Sequence, residues 1–110
     1  MSGWYELSKT SNGQFRFVLK AANAETILVS EHYTTLAAAK AGIASVQANS
    51  PHDERYEKKV AKDGKPYFNL KAANHQIIGT SEQYSAEAAR DKGIASVKTN
   101  GPTTLVKEKF

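Results

Sequence analysis

The chain is 110 residues long, carries a formal net charge of +4 and contains no cysteine. This length allows one small domain with one core, and the missing thiols exclude disulfides, thiolate metal sites and cysteine nucleophiles. No apolar run approaches the roughly 18 residues of a membrane span, and Met1 to Glu6 lacks a basic segment followed by an apolar one, so the expectation is a soluble, cytoplasmic protein with no membrane partner.

Tyr5 to Lys9 reads as a strand, and Ser11-Asn12-Gly13 as the turn after it, because Asn and Gly accept the positive φ of hairpin loops. Gln14 to Ala22 alternates, with Phe15, Phe17, Leu19 and Ala21 on a core face and Arg16, Val18 and Lys20 on a wet one. A tight turn at Asn23 to Glu25 leads to a third strand at Thr26 to Ser30. Thr35 to Ala48 then has helical spacing, with Thr34 as N-cap, Tyr33 as a staple and a buried stripe of Ala38, Gly42, Ile43 and Val46. Asn49 suits a C-terminal cap, and Pro51 blocks continuation.

From there the sequence starts again. Phe-Val-Leu-Lys-Ala-Ala-Asn at Phe17 to Asn23 returns as Phe-Asn-Leu-Lys-Ala-Ala-Asn at Phe68 to Asn74, and a shift of 51 superposes Gly3–Pro51 on Glu54–Pro102 with 22 identities in 49 pairs. The second copy therefore has its turn at Lys62-Asp63-Gly64, its third strand at Ile77 to Ser81 and a helix at Ala86 to Thr99 capped by Ser85 and Asn100. That helix buries Ala89, Gly93, Ile94 and Val97. A glycine within each helix costs about 1 kcal/mol relative to alanine, so Gly42 and Gly93 imply close backbone approach. Thr103 to Phe110 is a closing strand, since Val106-Lys107-Glu108 aligns with Trp4-Tyr5-Glu6 and Arg55-Tyr56-Glu57. If each first hairpin has a three-residue loop, Glu6 lies opposite Lys20 and Glu57 opposite Lys71, while Tyr5, Leu7, Tyr56 and Val60 join the core.

The fold class that follows is α+β: tandem β-β-β-α repeats plus a C-terminal strand, one largely antiparallel sheet with two helices on one face, and pseudo-two-fold symmetry. Residues 1–110 form a single domain of two repeats, 3–51 and 54–102, with the last strand at 103–110. The short polar junction Asn49 to Asp53 is a turn and not a tether, so the copies share one core.

The turn glycines Gly13 and Gly64, the Phe-x-Leu-Lys-Ala-Ala-Asn core, Ser-Glu-x-Tyr at Ser30–Tyr33 and Ser81–Tyr84, and Gly-Ile-Ala-Ser-Val at Gly42–Val46 and Gly93–Val97 resemble the YegP-like family of bacterial tandem-repeat proteins. The resemblance runs from Trp4 to Pro102. It implies two β-β-β-α-β motifs that assemble one sheet and exchange C-terminal strands. It implies no activity and no catalytic residues.

The residues themselves offer little chemistry. His32, His52 and His75 have no histidine mates under the shift and form no i, i+4 ligand pair, and the glycines are isolated, without a phosphate loop. Ser30-Glu31 and Ser81-Glu82 are explained by strand ends and helix entrance. No triad, dyad or cofactor motif can be assembled, so the expectation is a non-enzymatic protein with no catalytic, cofactor or metal site; the alternative is an uncharacterised enzyme with Glu31 or Glu82 in a pocket.

Residues 1–54 sum to −1 and 55–110 to +5, so the basic character belongs to the second copy. The open sheet face is expected to carry Arg16, Lys20, Tyr67, Asn69 and Lys71, with Arg55 and Lys59 nearby. We read these seven as an interaction face. A protein partner, met by that face or by edge strands, is favoured; the alternative is weak nucleic-acid binding through the basic second repeat. Because the duplicated chain closes the sheet on itself, it is expected to be a monomer with an internal pseudo-dimer.

Overall fold

Seven strands and two helices form in the order β1 Trp4–Lys9, β2 Phe15–Lys20, β3 Thr26–Val29, α1 Leu36–Asn49, a 3₁₀ turn Asp53–Arg55, β4 Tyr56–Val60, β5 Pro66–Lys71, β6 Ile77–Thr80, α2 Glu87–Asn100 and β7 Val106–Glu108. The structure is a computed structural model and describes residues 3–110. All strands belong to one sheet with spatial order β4-β5-β6-β3-β2-β1-β7. Every neighbour is antiparallel except β7, which runs parallel to β1. The expected α+β architecture and its pseudo-two-fold are thus present, with the dyad between β3 and β6, where Val29 meets its own copy, Thr80.

The two copies share their core. Helix α1 packs on β2 and reaches β6 of the other repeat, and α2 packs on β5 and reaches β3. Between helices and sheet lie Tyr5, Leu7, Phe17, Leu19, Leu28, Val46, Phe68, Leu70 and Val97, all fully buried. Burying such side chains contributes about 1.5–3 kcal/mol each, and a unit of about 50 residues would be marginal on its own.

Four expectations about local structure change. The hairpin loop is longer than three residues: Lys9 pairs with Phe15, so Glu6 stands opposite Val18 and Glu57 opposite Asn69, not opposite the lysines. Gly13 closes this loop at φ 84° and donates its N–H to Thr10. Val60 does not join the core but is 65% exposed, on β4, an edge strand that no other strand covers among the described residues. The helices begin one residue later than expected. Thr35, not Thr34, is extended and accepts a hydrogen bond from the Ala38 N–H, 3.0 Å, while Ala86 takes the place of Ser85 and offers no side-chain cap. This phase buries Ala39 and Arg90 instead of Ala38 and Ala89.

Gly42 and Gly93 do mark close approach, but by a ring instead of a backbone. A Cβ on either would strike the hydroxyl of Tyr33 or Tyr84, the residue that enters the helix. Those rings stack on Phe17 and Phe68 with centroids 6.1 and 6.4 Å apart. The face expected to be wet is not wet throughout, since Val18 and Asn69 are buried between neighbouring strands.

Asn49 and Asn100 end their helices as last residues, with Ser50 and Gly101 as the caps. Each folds its Nδ2 back to the carbonyl of Ser45 or Ser96, both at 2.8 Å, leaving Oδ1 for a partner outside the helix. For Asn49 that partner is Arg55 Nε at 2.8 Å; for Asn100 it is the Gly3 N–H at 2.7 Å. Tyr56 and Tyr5 repeat the pattern, donating their hydroxyls to Ser50 and Gly101 carbonyls at 2.7 and 2.6 Å. So α2 holds the start of β1 as α1 holds the start of β4.

Candidate interaction surfaces

Cross-strand pairing fixes which side chains share the helix-free face. Arg16 and Ser8 pair, as do Lys20 and Trp4, Tyr67 and Lys59, and Asn69 and Glu57. Six of the seven expected residues therefore lie on that face: Arg16, Lys20, Lys59, Tyr67, Asn69 and Lys71. Arg55 is turned to the end of α1, on Asn49, with Glu54 3.9 Å away.

In the second repeat this face is a closed polar network. Thr80 Oγ1 donates to Asn69 Oδ1 at 2.9 Å, Asn69 Nδ2 to Glu57 Oε1 at 3.4 Å, and Lys71 Nζ to Glu57 Oε2 at 3.0 Å. Lys71 and then Asn69, by hydrogen bonding the carboxylate, hold the Glu57 carboxyl below its ordinary value. In the first repeat Trp4 Nε1 donates to Glu6 Oε2 at 2.9 Å, which lowers that carboxyl too, and Lys107 Nζ sits 4.3 Å from the Trp4 ring. Glu57, Asn69, Thr80 and Lys71 thus satisfy one another, as do Trp4 and Glu6.

A second surface lies at the edge. Between β4 and α2 runs a groove of about 530 Å³ lined by Asp53, Tyr56, Lys58, Asp91, Ile94, Ala95 and Lys98. Its apolar lining is Tyr56, Ile94 and Ala95. Ion pairs stand at both ends, Lys58 with Asp91 at 3.4 Å and Lys98 with Asp53. Arg90, by hydrogen bonding Asp91, is the main cause that lowers that carboxyl.

Shifted back by 51, the lining becomes Tyr5, Leu7, Lys40, Ile43, Ala44 and Gln47. There the chain's own C-terminal segment fills the groove: Tyr5 N–H donates to the Leu105 carbonyl at 2.9 Å, Lys109 N–H to Leu7 at 2.8 Å, Gln47 Nε2 to Thr103 at 2.8 Å, and Lys40 pairs with Glu108 at 3.4 Å. Val106 packs on the core. The outer side of β1 is covered by β7, and among the described residues the outer side of β4 pairs with no strand.

Reading residue types overlooked this groove, although the signal was available. Three copies of one strand and two of everything else leave one strand without a counterpart. Leu7, Lys40 and Gln47 become Lys58, Asp91 and Lys98 at positions where the copies differ. Among the described residues no cluster of three or more His, Asp or Glu could hold a metal ion. No helix there is long and apolar enough to cross a membrane.

Comparison with known proteins places this architecture. The family model described as "Domain of unknown function (DUF1508)" matches twice, over residues 10–57 and 61–108. The chain belongs to this family. Its unit runs from the second strand of one copy through the helix to the following strand, so β4 ends the first unit and β7 the second. A UPF0339 protein of Shewanella oneidensis is 68% identical over 108 residues, 98% of each chain, and the UPF0339 protein YegP of Escherichia coli is 64% identical over the same shares. The solution structure of E. coli yegP, described as a protein of unknown function, superposes with a TM-score of 0.94 at 63% identity, covering 99% of this chain and 94% of its own. That of UPF0339 protein SO3888 from S. oneidensis gives 0.92 at 68%, covering 98% and 92%.

Proposed function

We propose that the chain is a small non-enzymatic interaction module that takes a protein partner at the free edge of β4. One observation carries this reading: β1 and β4 are copies of the same strand, and the outer edge that β7 covers on β1 stands open on β4 above a formed groove. An unpaired edge strand beside a part-apolar groove is the surface used in strand addition, where backbone hydrogen bonds supply affinity and the groove selects side chains. The nucleic-acid reading has less behind it, because Lys71 is held by Glu57 and Arg55 by Asn49.

The test uses the backbone. Tyr5 N–H points to the outer side of β1, so Lys58, which is 51 and two positions further on, presents its N–H outward from β4. Lys58→Pro removes that donor without touching the ladder to β5. Partner proteins retained by the wild-type chain should be lost from this variant and kept by Tyr67→Ala on the open face. Retention by Lys58→Pro with loss from Tyr67→Ala would move the interaction to the open face.

A further inference from the structure

We propose that the β4 groove takes an extended acidic segment, running parallel to β4, with the pattern apolar, any residue, acidic, acidic, apolar. This rests on the edge-strand reading above and adds the occupant's direction and chemistry.

The direction comes from the filled copy of the groove. Helix and strand are arranged alike in the two repeats, and in the first the occupant is parallel to β1 with Val106 beside Tyr5, Lys107 beside Glu6 and Glu108 beside Leu7. The same register on β4 places guest positions beside Tyr56, Glu57, Lys58, Lys59 and Val60 in turn.

The chemistry follows position by position. The first guest residue sits over Tyr56 and Ile94, where Val106 sits over their copies, so it is apolar. The second faces Glu57, whose carboxylate is already held by Lys71 and Asn69, and is unconstrained. The third lies beside Lys58 and, by the Glu108–Lys40 pair of the filled groove, near Asp91, the copy of Lys40; the fourth lies beside Lys59, and both lysines are exposed. Asp91 does not cancel the charge at this end, because it stands between Lys58 and the buried Arg90, two cations to one anion. Opposite charges on adjacent strands are favourable and like charges are not, which selects carboxylates for both positions. The fifth faces Val60, which is 65% exposed and pairs with Pro66. In the first repeat Phe110 reaches this level and packs edge-on against Phe15, the copy of Pro66, with centroids 5.6 Å apart.

The upstream end of the guest is also set. Tyr5 N–H takes the Leu105 carbonyl, but Tyr56 N–H is already bonded to the Asp53 carbonyl in the 3₁₀ turn, and Lys98 to the Asp53 side chain. The protein's own turn stands where residues before Val106 would lie, so the guest's recognised part begins at its first apolar residue. The chain's own tail, Val-Lys-Glu-Lys-Phe, matches at every position but the fourth, where it has Lys109.

The probes are three nine-residue peptides based on residues 102–110: the native sequence, the Lys109→Glu form and the Glu108→Lys form. Each is titrated into isotope-labelled full-length protein and followed by amide chemical shifts. The expected result is that the Lys109→Glu peptide shifts the amides of Lys58, Val60, Ile94 and Ala95, and binds at least tenfold more tightly than the Glu108→Lys peptide. In the Lys58→Glu/Lys59→Glu protein, changed only at exposed side chains, the order should reverse. Equal binding of all three at β4 overturns the acidic selection and leaves the edge-strand reading standing; the lysines then only guard the edge against self-pairing. No β4 shift with any peptide at millimolar concentration overturns both, and shifts confined to β1 and α1 mean displacement of β7 and overturn this proposal.

Discussion

Tyr5 and Tyr56 are one residue in two copies, and both serve the fold through their hydroxyls. Each donates to the carbonyl at a helix end, and burial pushes both phenols well above their ordinary value of 10.0. The folded chain therefore holds these protons more tightly than the unfolded one. The stability is complete below pH 10.0 and falls as pH rises beyond it. Carboxylates act at the other end of the scale. Glu6, Glu57 and Asp91 are lowered by their hydrogen bonds to Trp4, Lys71 and Arg90, so the stability they give is present at neutral pH and is lost as pH drops below 4.5 for the glutamates and below 3.8 for Asp91. Chemical denaturation across pH should show both flanks. Tyr5→Phe should leave the Gly101 carbonyl unpaired, cost about 1–3 kcal/mol at neutral pH and flatten the alkaline flank. An unchanged midpoint with an unchanged alkaline flank would mean the hydroxyl contributes nothing.

At the level of elements, the place that follows α2 by symmetry is filled by β1. Helix α1 leads to β4 beside β5; the strand beside β2 in the matching position is β1, pinned to α2 by Gly3 on Asn100 and Tyr5 on Gly101. The strand that does follow α2, β7, is displaced to the outside, and since it leaves the same helix end it runs parallel to β1. Ending the chain after Pro102 should uncover Tyr5 and the Ile43 side of α1. The lost partial burial of Val106 alone amounts to about 1 kcal/mol, measurable by thermal unfolding. A peptide of residues 102–110 added in trans should restore part of it; restoration by a scrambled peptide equally well would show that the groove does not read β7.

Much of this arrangement was legible in the sequence because a duplication states it twice. Strand alternation, turn glycines and helix periodicity agreed in both copies, which fixed element type and order. Local details slipped where a single residue decides them. The hairpin register depended on loop length, which Asn-Gly alone does not set, and the helix phase moved by one when Thr35 was extended. Leu28 and Gly79 show the limit of symmetry: a Cβ on Gly79 would strike the Leu28 side chain, so the two copies fill one space together. The groove was hidden for a different reason. It is defined by an absent neighbour, and residue types report what is present.

For the molecule as a whole, the sheet has two ends of unlike character. The β7 end is short and carries Lys107 and Glu108, while the β4 end exposes Val60 and the outward backbone groups of Lys58 and Val60, the Tyr56 N–H being taken by Asp53. Two molecules could pair β4 to β4 about a two-fold axis, the isologous contact that duplication makes unnecessary for closing the core. Antiparallel pairing of that kind would bring Lys58 and Lys59 of one molecule against the same residues of another, and like charges opposite one another are unfavourable. The wild-type chain is therefore expected to stay at its monomer mass of 12.0 kDa by light scattering from micromolar concentration to at least about 100 μM in moderate salt. Lys58→Thr/Lys59→Thr removes the repulsion and raises strand propensity on the same exposed edge. That variant should form dimers over this range, and the shift should be reversed by Lys58→Pro on the Lys59→Thr background, which removes the outward N–H. Dimers of the wild-type chain at micromolar concentration that Lys58→Pro abolishes would mean that the edge is closed by a second copy, leaving the β4 groove no room for another guest.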